Sequence, residues 1–338
     1  MSHPLRIGIV GPGGIVRSHH APGLAKIPGV EIAAVAAGRV ESAREFCAQW
    51  APGAQVYEHW RDVVQQGDLD AILIGTSPFL HEPVTVAALD AGRHVFCQAR
   101  MSTDLASAQR MLAAAEAHPG LVTMLCPPPH ALSTDAFVRS LLQEGRLGDV
   151  RHVCARTRSA QFLDPLAPAH WRQRFEINGK NILTLGIYAE VLRRWFGDLE
   201  PLHARGLLHV RERQGYRVRV PDALEVWGRL ASGPTFTMEL SGVYPGPAAD
   251  YIEILGSRAT LRVHAATDTV EMASPGDKDF ASLEIPAGLA RPWRVEADFI
   301  EAVRNPDAPR PRPDFRDGVA YMAVVEKVWE LIGGQSAL

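Results

Sequence analysis

The residues best suited to chemistry in this chain stand near its start. Gly11-Pro12-Gly13-Gly14 lies between an apolar run (Leu5, Ile7, Ile9, Val10) and a stretch from Ile15 onward that reads as a helix. A strand, a glycine turn and a helix N-terminus together make a phosphate site, because unpaired backbone N–H groups and the positive end of the helix dipole both face the turn. Gly11 permits the tight turn, Gly13 lets a pyrophosphate approach the backbone, and Gly14 and Ile15 complete the cradle. The third position of G-x-G-x-x-G/A is Val16, which puts close helix–strand packing there in question. The next apolar run ends in Ala36-Ala37-Gly38-Arg39. An acidic residue at that point would bond the ribose hydroxyls of NAD. Gly38 instead leaves room, and Arg39 supplies a bidentate partner for a 2′-phosphate, so NADP is favoured over NAD. Without a ligand, the same text is a plain strand–turn–helix with a surface arginine.

The elements that must position these residues follow in order. Val30–Ala36 reads as a second strand and Glu41–Trp50 as its helix. Asp70–Ile74 is a third run, ending in Gly75-Thr76-Ser77-Pro78, with a helix from His81 to Ala91. His94–Cys97 and Leu121–Met124 are further strands around a helix from Thr103 to His118. Such alternation specifies a parallel sheet with helices on both faces, and ligands of such sheets sit beyond the carboxyl ends of the strands. Those ends are Gly11–Ile15, Ala37–Arg39, Thr76–His81 and Cys97–Arg100. Thr76, Ser77, Pro78, His81 and Gln98 therefore join the cofactor candidates. Cys126-Pro127-Pro128-Pro129 can continue neither strand nor helix, so a first domain is expected over 1–126 and a second over 127–338.

Composition narrows the class. The chain has 338 residues and a net charge of −3, with basic residues dispersed rather than blocked. Neither a nucleic-acid nor a membrane footprint is expected. Four separated cysteines without a C-x-x-C pair argue against structural zinc and a disulfide framework. No H-x-x-x-H or H-E-x-x-H occurs, so no metal site is expected. No apolar run reaches the ~18–20 residues of a membrane span, and the first strand follows the first residues directly. A soluble cytoplasmic protein is expected.

Taken together, RIGIVGPGGI and GTSPFLHEPVTVAALDAGRHVFC resemble the glucose–fructose oxidoreductase/inositol dehydrogenase (Gfo/Idh/MocA) family, with further likeness at Gly186-Ile187-Tyr188 and around Asp317-Gly318. The resemblance implies an α/β fold: an N-terminal Rossmann dinucleotide-binding domain, then a C-terminal α/β domain with a large, mostly antiparallel sheet. One face of that sheet would carry helices and the other a subunit interface, so a homodimer or homotetramer is implied. The implied chemistry is hydride transfer between NAD(P) and a small polar cyclic substrate such as a sugar, inositol or dihydrodiol.

The departures from the family pattern are as informative as the matches. Where the family has E-K-P, with lysine as proton donor or acceptor and a cis bond before proline, this chain has Gln98-Ala99-Arg100. Ala99 moves no proton. A non-proline cis bond costs ~3–4 kcal/mol, so a trans, differently shaped loop is expected. Arg100 stays charged near neutral pH; it is either an anchor for a substrate carboxylate or oxyanion, or a solvated arginine.

The second half opens with a helix over Ser133–Glu144 and a strand over Val150–Arg156. A Pro- and Ala-rich loop then carries Asp164, His170, Trp171 and Arg172. Trp171 and Arg172 suit a substrate wall, although Trp171 equally suits a core plug. Asn178–Tyr188 resembles the family's second signature, roughly G-G-G-x-L-x-D-x-G-x-H, with Thr184 at the aspartate and Tyr188 at the histidine. In a helix from about Asn181, residues 181, 184 and 188 share one face. This makes Asn181 and Thr184 substrate candidates. Tyr188 becomes the catalytic candidate, with Lys180 as the cation that lowers its pKa from ~10. The alternative for Tyr188 is a hydrogen-bonded core residue. Five strand-like runs between Ala204 and His264 and two closing helices, Trp293–Arg304 and Phe315–Ile332, complete the chain. Two other functions fit the same text: a non-redox lyase or hydrolase that keeps the fold and a bound cofactor, and a catalytically silent dinucleotide or metabolite binder.

Overall fold

In the computed structural model, which describes residues 3–128, 133–291 and 293–333, the apolar runs of the first half form six parallel strands. These are β1 (Leu5–Val10), β2 (Val30–Ala36), β3 (Gln55–Tyr57), β4 (Ala71–Ile74), β5 (His94–Cys97) and β6 (Thr123–Leu125), in the spatial order β3-β2-β1-β4-β5-β6. The order reverses direction between β1 and β4, which pair in parallel from Ile7↔Ala71 to Val10↔Ile74. The crevice at that switch point is where such sheets bind ligands, and both Gly11 and Gly75 sit there. Strand β4 is buried along its whole length, which is why it reads as a continuous apolar run rather than an alternating one.

Two compact units emerge. The first holds the described residues up to Pro127 together with Arg294–Val319; the second holds those from Pro128 to Trp293 and from Ala320 onward. The expected boundary lies near Cys126, and Pro129 of the proline run lies outside the described residues. Residues 294–319 follow the second half in sequence yet pack with the first unit. Their helix Val295–Arg304 sets Glu296 on His20 and Phe299 against Phe96, and the Arg304 guanidinium donates to the Pro28 and Gly29 carbonyls.

The second unit is built on an eight-stranded sheet, with a separate two-stranded ribbon. Its strands are β7 (Val150–Arg158), β8 (Leu199–Leu207), the ribbon β9 (Glu212–Arg213) and β10 (Tyr216–Arg217), β11 (Ala223–Leu230), β12 (Thr235–Ser241), β13 (Ala249–Gly256), β14 (Thr260–His264), β15 (Thr269–Ala273) and β16 (Ala281–Leu283). The large sheet runs β16-β15-β14-β13-β7-β12-β11-β8 and is antiparallel except where β7 meets β12. Alternation divides its faces. Val153, Ala155, Phe236, Met238, Ile252 and Ile254 are buried on one. The other carries Arg156 and Arg158 paired with Glu239, and Arg262 paired with Glu253.

Candidate functional site

The first unit gathers its candidates at the glycine turn. Gly11 has φ +81, a left-handed backbone that favours glycine, and a Cβ there would lie 2.5 Å from Thr76 Cγ2. Nothing approaches the Cβ position of Gly14 within 4 Å, so open space lies above the turn. Beside it, the Thr76 hydroxyl is buried and has no hydrogen-bond partner among the described residues. A glycine cradle with free space and an orphaned hydroxyl fits a pyrophosphate. Ile15 is exposed, as are Gly38 and Arg39 at the end of β2. Arg39 precedes the helix Val40–Trp50 with extended backbone.

Val16 resolves differently from the sequence expectation. It is completely buried and packs closely, because the position it meets on the next strand end is Gly75. A Cβ at Gly75 would stand 2.3 Å from Val16 Cγ2 and 2.4 Å from the Gly11 carbonyl oxygen. The glycine that permits close approach has moved to the other side of the contact. Arg17, one residue on, was missed in the sequence. Its guanidinium donates to the Pro12 carbonyl at 2.9 Å and to the Ser42 carbonyl at 2.6 Å, lashing the turn to the start of the next helix. The opening helix then widens: the Ala21 N–H bonds Val16 O, five residues back, just before Pro22. A proline at that point supplies no N–H to a regular ladder.

The loops after β4 and β5 are locked together from inside. His81 is 1% exposed. Its Nδ1 lies 2.9 Å from the Arg100 carbonyl and its Nε2 lies 2.9 Å from the Thr76 carbonyl. Burial holds its pKa below the usual histidine value, against the opposing pull of those carbonyls. Gln98 is buried as well, its amide bonded to His20 Nε2, while His20 Nδ1 is bonded to the buried Glu296 carboxylate. Pro78 is buried and Ser77 half buried. The side chains of His81, Pro78 and Gln98 thus face the core and hold the two loops in place; Thr76 has the orphaned hydroxyl.

Two expectations about the Gln98-Ala99-Arg100 loop are corrected. The Ala99–Arg100 peptide is cis, not trans. Contacts on both sides hold this loop: His81 on the Arg100 carbonyl, the Gln98 N–H on Ile74 O at 3.0 Å and the Cys126 N–H on Cys97 O at 2.8 Å. Arg100 is 6% exposed rather than solvated, so its guanidinium is drawn into the unit's own structure.

In the second unit the helix carrying Tyr188 begins at Leu185, not at Asn181. Leu183 has φ 46, which no helix accommodates, and Thr184 is the cap residue. Asn178 and Asn181 build the preceding turn: each side-chain amide donates to the other's backbone carbonyl at 2.6 Å, and Asn178 also donates to the Arg172 carbonyl at 2.8 Å. Asn181 is completely buried and belongs to this turn rather than to an exposed helix face.

Tyr188 is also completely buried. Its hydroxyl bonds the Asp250 carboxylate, Thr157 Oγ1 at 2.9 Å and the Arg156 carbonyl at 3.0 Å, and Thr157 Oγ1 continues to Thr184 Oγ1 at 3.1 Å. Burial first, and Asp250 next, push the tyrosine pKa well above 10. This overturns the idea of a cation-activated tyrosinate. Lys180 pairs with Glu326, and the group beside Tyr188 is an anion. Asp250, half buried at the start of β13, was not singled out in the sequence. Nothing in Ala248-Ala249-Asp250-Tyr251 marks it, since its partner is 62 residues away.

Trp171 and Arg172 share a half-buried turn, with the Arg172 guanidinium 4.3 Å from the Trp171 ring centre. The preceding loop is clamped by Arg213 of the ribbon, which is 2% exposed and donates to the carbonyls of Phe162, Asp164 and Ala167. Among the described residues no group of three His, Cys, Asp or Glu side chains could hold a metal ion, and no helix is long and apolar enough to cross a membrane.

Comparison with known proteins bears on both halves. Residues 5–125 match the GFO/IDH/MocA oxidoreductase family model with its NAD-binding Rossmann fold, and residues 136–262 match the GFO/IDH/MocA C-terminal domain model. A dTDP-3,4-didehydro-2,6-dideoxy-alpha-D-glucose 3-reductase from Actinomadura kijaniata is 28% identical over 193 residues, 55% of this chain and 54% of that protein. A trans-1,2-dihydrobenzene-1,2-diol dehydrogenase from Bos taurus is 30% identical over 200 residues, 58% and 57% of the two chains. The chain thus spans a little over half the length of these relatives. Among solved structures, a levoglucosan dehydrogenase with NADH and levoglucosan superposes with a TM-score of 0.87 at 20% identity, covering 99% of this chain and 98% of that one. A 3-ketoreductase from Actinomadura kijaniata with NADP and TDP-benzene gives 0.80 at 21% identity, covering 98% of each. These two likenesses are of fold.

Proposed function

This chain belongs to the GFO/IDH/MocA family of oxidoreductases, and we propose that it is an NAD(P)-dependent oxidoreductase of a small polar cyclic substrate of the sugar, inositol or dihydrodiol kind. The observation that carries the reading is the glycine turn with open space above it and the orphaned Thr76 hydroxyl at its side. Gly11, Gly13, Gly14 and Ile15 would hold the pyrophosphate, and Arg39, exposed and positively charged at the end of β2, favours NADP. When bound, a nicotinamide supplies the hydride acceptor or donor.

Where the resemblance puts the family's lysine this chain has Ala99, which moves no proton, so we assign the proton transfer to another group. The second unit offers a continuous chain, Thr184–Thr157–Tyr188–Asp250. In the oxidising direction the substrate hydroxyl gives up its proton to the Asp250 carboxylate, and in the reducing direction the protonated carboxyl returns it. Tyr188, neutral and buried, positions that carboxylate and relays through its own hydroxyl; Lys180, paired with Glu326, keeps the Asn178–Thr184 turn in place. The relatives named as a dTDP-sugar 3-reductase and a dihydrodiol dehydrogenase support the substrate class. A second copy of the chain covering the polar face of the large sheet, where Arg156, Glu239 and exposed Trp227 border a cavity of about 500 Å³, would make a homodimer or homotetramer; light scattering on the purified protein tests this.

The test of function is nicotinamide absorbance with NAD(P) and a panel of sugars, inositols and dihydrodiols. Calorimetric binding of NAD(H) or NADP(H) is expected first, and its absence in folded protein would remove the redox reading. General acid–base help is worth ~10²–10⁴ in rate, so Asp250→Asn should lower kcat by at least about a hundredfold with cofactor affinity unchanged. Substrate turnover by mass spectrometry without any absorbance change would establish the non-redox reading instead.

A further inference from the structure

Most arginines of the second unit's interior and sheet face are spoken for. Arg156 and Arg158 pair with Glu239, Arg262 with Glu253, Arg194 with Glu190, and buried Arg213 has three carbonyl acceptors. Arg172 differs. It is half buried, yet its guanidinium makes no ion pair and no hydrogen bond with any described residue. Among the described residues its side-chain partner is the Trp171 ring. A guanidinium held over an aromatic face uses none of its N–H donors in doing so, which leaves the planar fork available for a bidentate acceptor. Burial pulls its pKa below the usual arginine value, and among the described residues no carboxylate pairs with it. A desolvated cation with unused donors is costly unless something meets it.

The backbone around this cation is fixed from both sides. The Arg172 carbonyl accepts from Asn178 Nδ2, and the same amide bonds the Asn181 carbonyl, tying Arg172 to the turn that leads into Thr184 and Tyr188. The Arg172 N–H donates to His170 Nδ1 at 3.2 Å, and His170 in turn packs against Phe162. Arg174 and Arg219 also lie over aromatic rings, Tyr216 and Phe175, but both are exposed and face Glu176. Arg172 is held in place, partly dry, and among the described residues its guanidinium meets only the Trp171 ring.

We propose that Arg172 is the anion-recognition residue of the substrate site: the cyclic substrate carries an oxyacid group, a carboxylate or a phosphate, that docks on its guanidinium. This rests on the oxidoreductase reading for the identity of the site, but not for the binding itself. It narrows the substrate from neutral polyols to sugar acids or sugar phosphates.

The experiment is calorimetric binding to the full chain, with and without NADP+, using D-glucuronate, D-glucose 6-phosphate and, as neutral partners, D-glucose and myo-inositol. At least one anion should bind at least about tenfold more tightly than neutral glucose, the margin of a charge-assisted hydrogen bond. Which anion does so distinguishes carboxylate from phosphate. Arg172→Gln should erase that margin, bringing the anion down to the affinity of the neutral sugar measured on the same variant; Arg172→Lys, which keeps the charge but loses the fork, should restore part of it. Equal binding of anionic and neutral sugars, no binding of either anion, or an undiminished margin in Arg172→Gln would overturn the proposal. Because binding is read without turnover, an anion margin that depends on Arg172 in a protein lacking hydride transfer would sink the redox reading and leave this one standing.

Discussion

Replacing Tyr188 by phenylalanine separates the buried-relay account from a purely apolar role for this ring. The substitution removes one oxygen and no carbon, so the packing of a completely buried side chain is retained. What disappears is the hydrogen bond to the Asp250 carboxylate and the contacts with Thr157 Oγ1 and the Arg156 carbonyl. A hydrogen bond to a charged group contributes about 1.5–3 kcal/mol. Asp250 is half buried and can regain water, and Thr157 can turn to Thr184, so the loss should sit at the lower end, about 1.5–2 kcal/mol at pH 7. The pH dependence follows from the raised tyrosine pKa. In the unfolded chain Tyr188 ionises near ~10; in the folded protein it stays protonated beyond that. Its contribution is therefore complete below pH ~10 and is lost as pH rises above that toward the folded value. Urea denaturation at pH 7, 9 and 10.5 should show the wild-type advantage over Tyr188→Phe holding and then shrinking. Equal stabilities at pH 7, or a gap that widens above pH 10, would refute the reasoning.

Three further outcomes follow. Arg39→Ala should weaken NADPH about tenfold or more, the loss of a charge-assisted contact, and leave NADH nearly unchanged; equal weakening of both by calorimetry would make Arg39 a fold residue. Gly75→Ala should abolish dinucleotide binding and cost about 1–3 kcal/mol or more in a denaturant midpoint, the scale of overpacking. Val16→Ala would relieve only part of this, because the added methyl also meets the Gly11 carbonyl. Ellman titration of native protein at pH 8 should find at most one fast thiol, Cys154. Cys47, Cys97 and Cys126 are buried, and burial raises all three pKa values, that of Cys126 to about 12.

The sheets were legible because the parallel strands are buried on both faces and read as apolar runs, while the second sheet alternates. The glycine turn was legible because strand, turn and helix are contiguous. What could not be read depends on partners distant in sequence. Glu326 claims Lys180 from 146 residues away, and Glu296 reaches His20 across 276. The helix start before Tyr188 was misjudged by four residues because Leu183 adopts a left-handed backbone that no propensity of leucine announces. Gly75 was visible as a strand end, but its role as the counterpart of Val16 exists only once β1 and β4 are paired.

The return of residues 294–319 to the first unit has a consequence for how the chain acquires its fold. The six parallel strands are all synthesised by Leu125, yet the unit still lacks the carboxylate for buried His20, the ring against Phe96 and the Pro313 carbonyl that accepts from the Leu125 N–H. Contacts of such separation are formed late, after the loop between them has been closed. On the ribosome the half made first is therefore among the last to be completed, with apolar surface on the Phe96 side uncovered while the whole eight-stranded sheet is being made. A fragment ending at Pro127 should accordingly behave as an aggregation-prone intermediate rather than as a minimal nucleotide-binding domain.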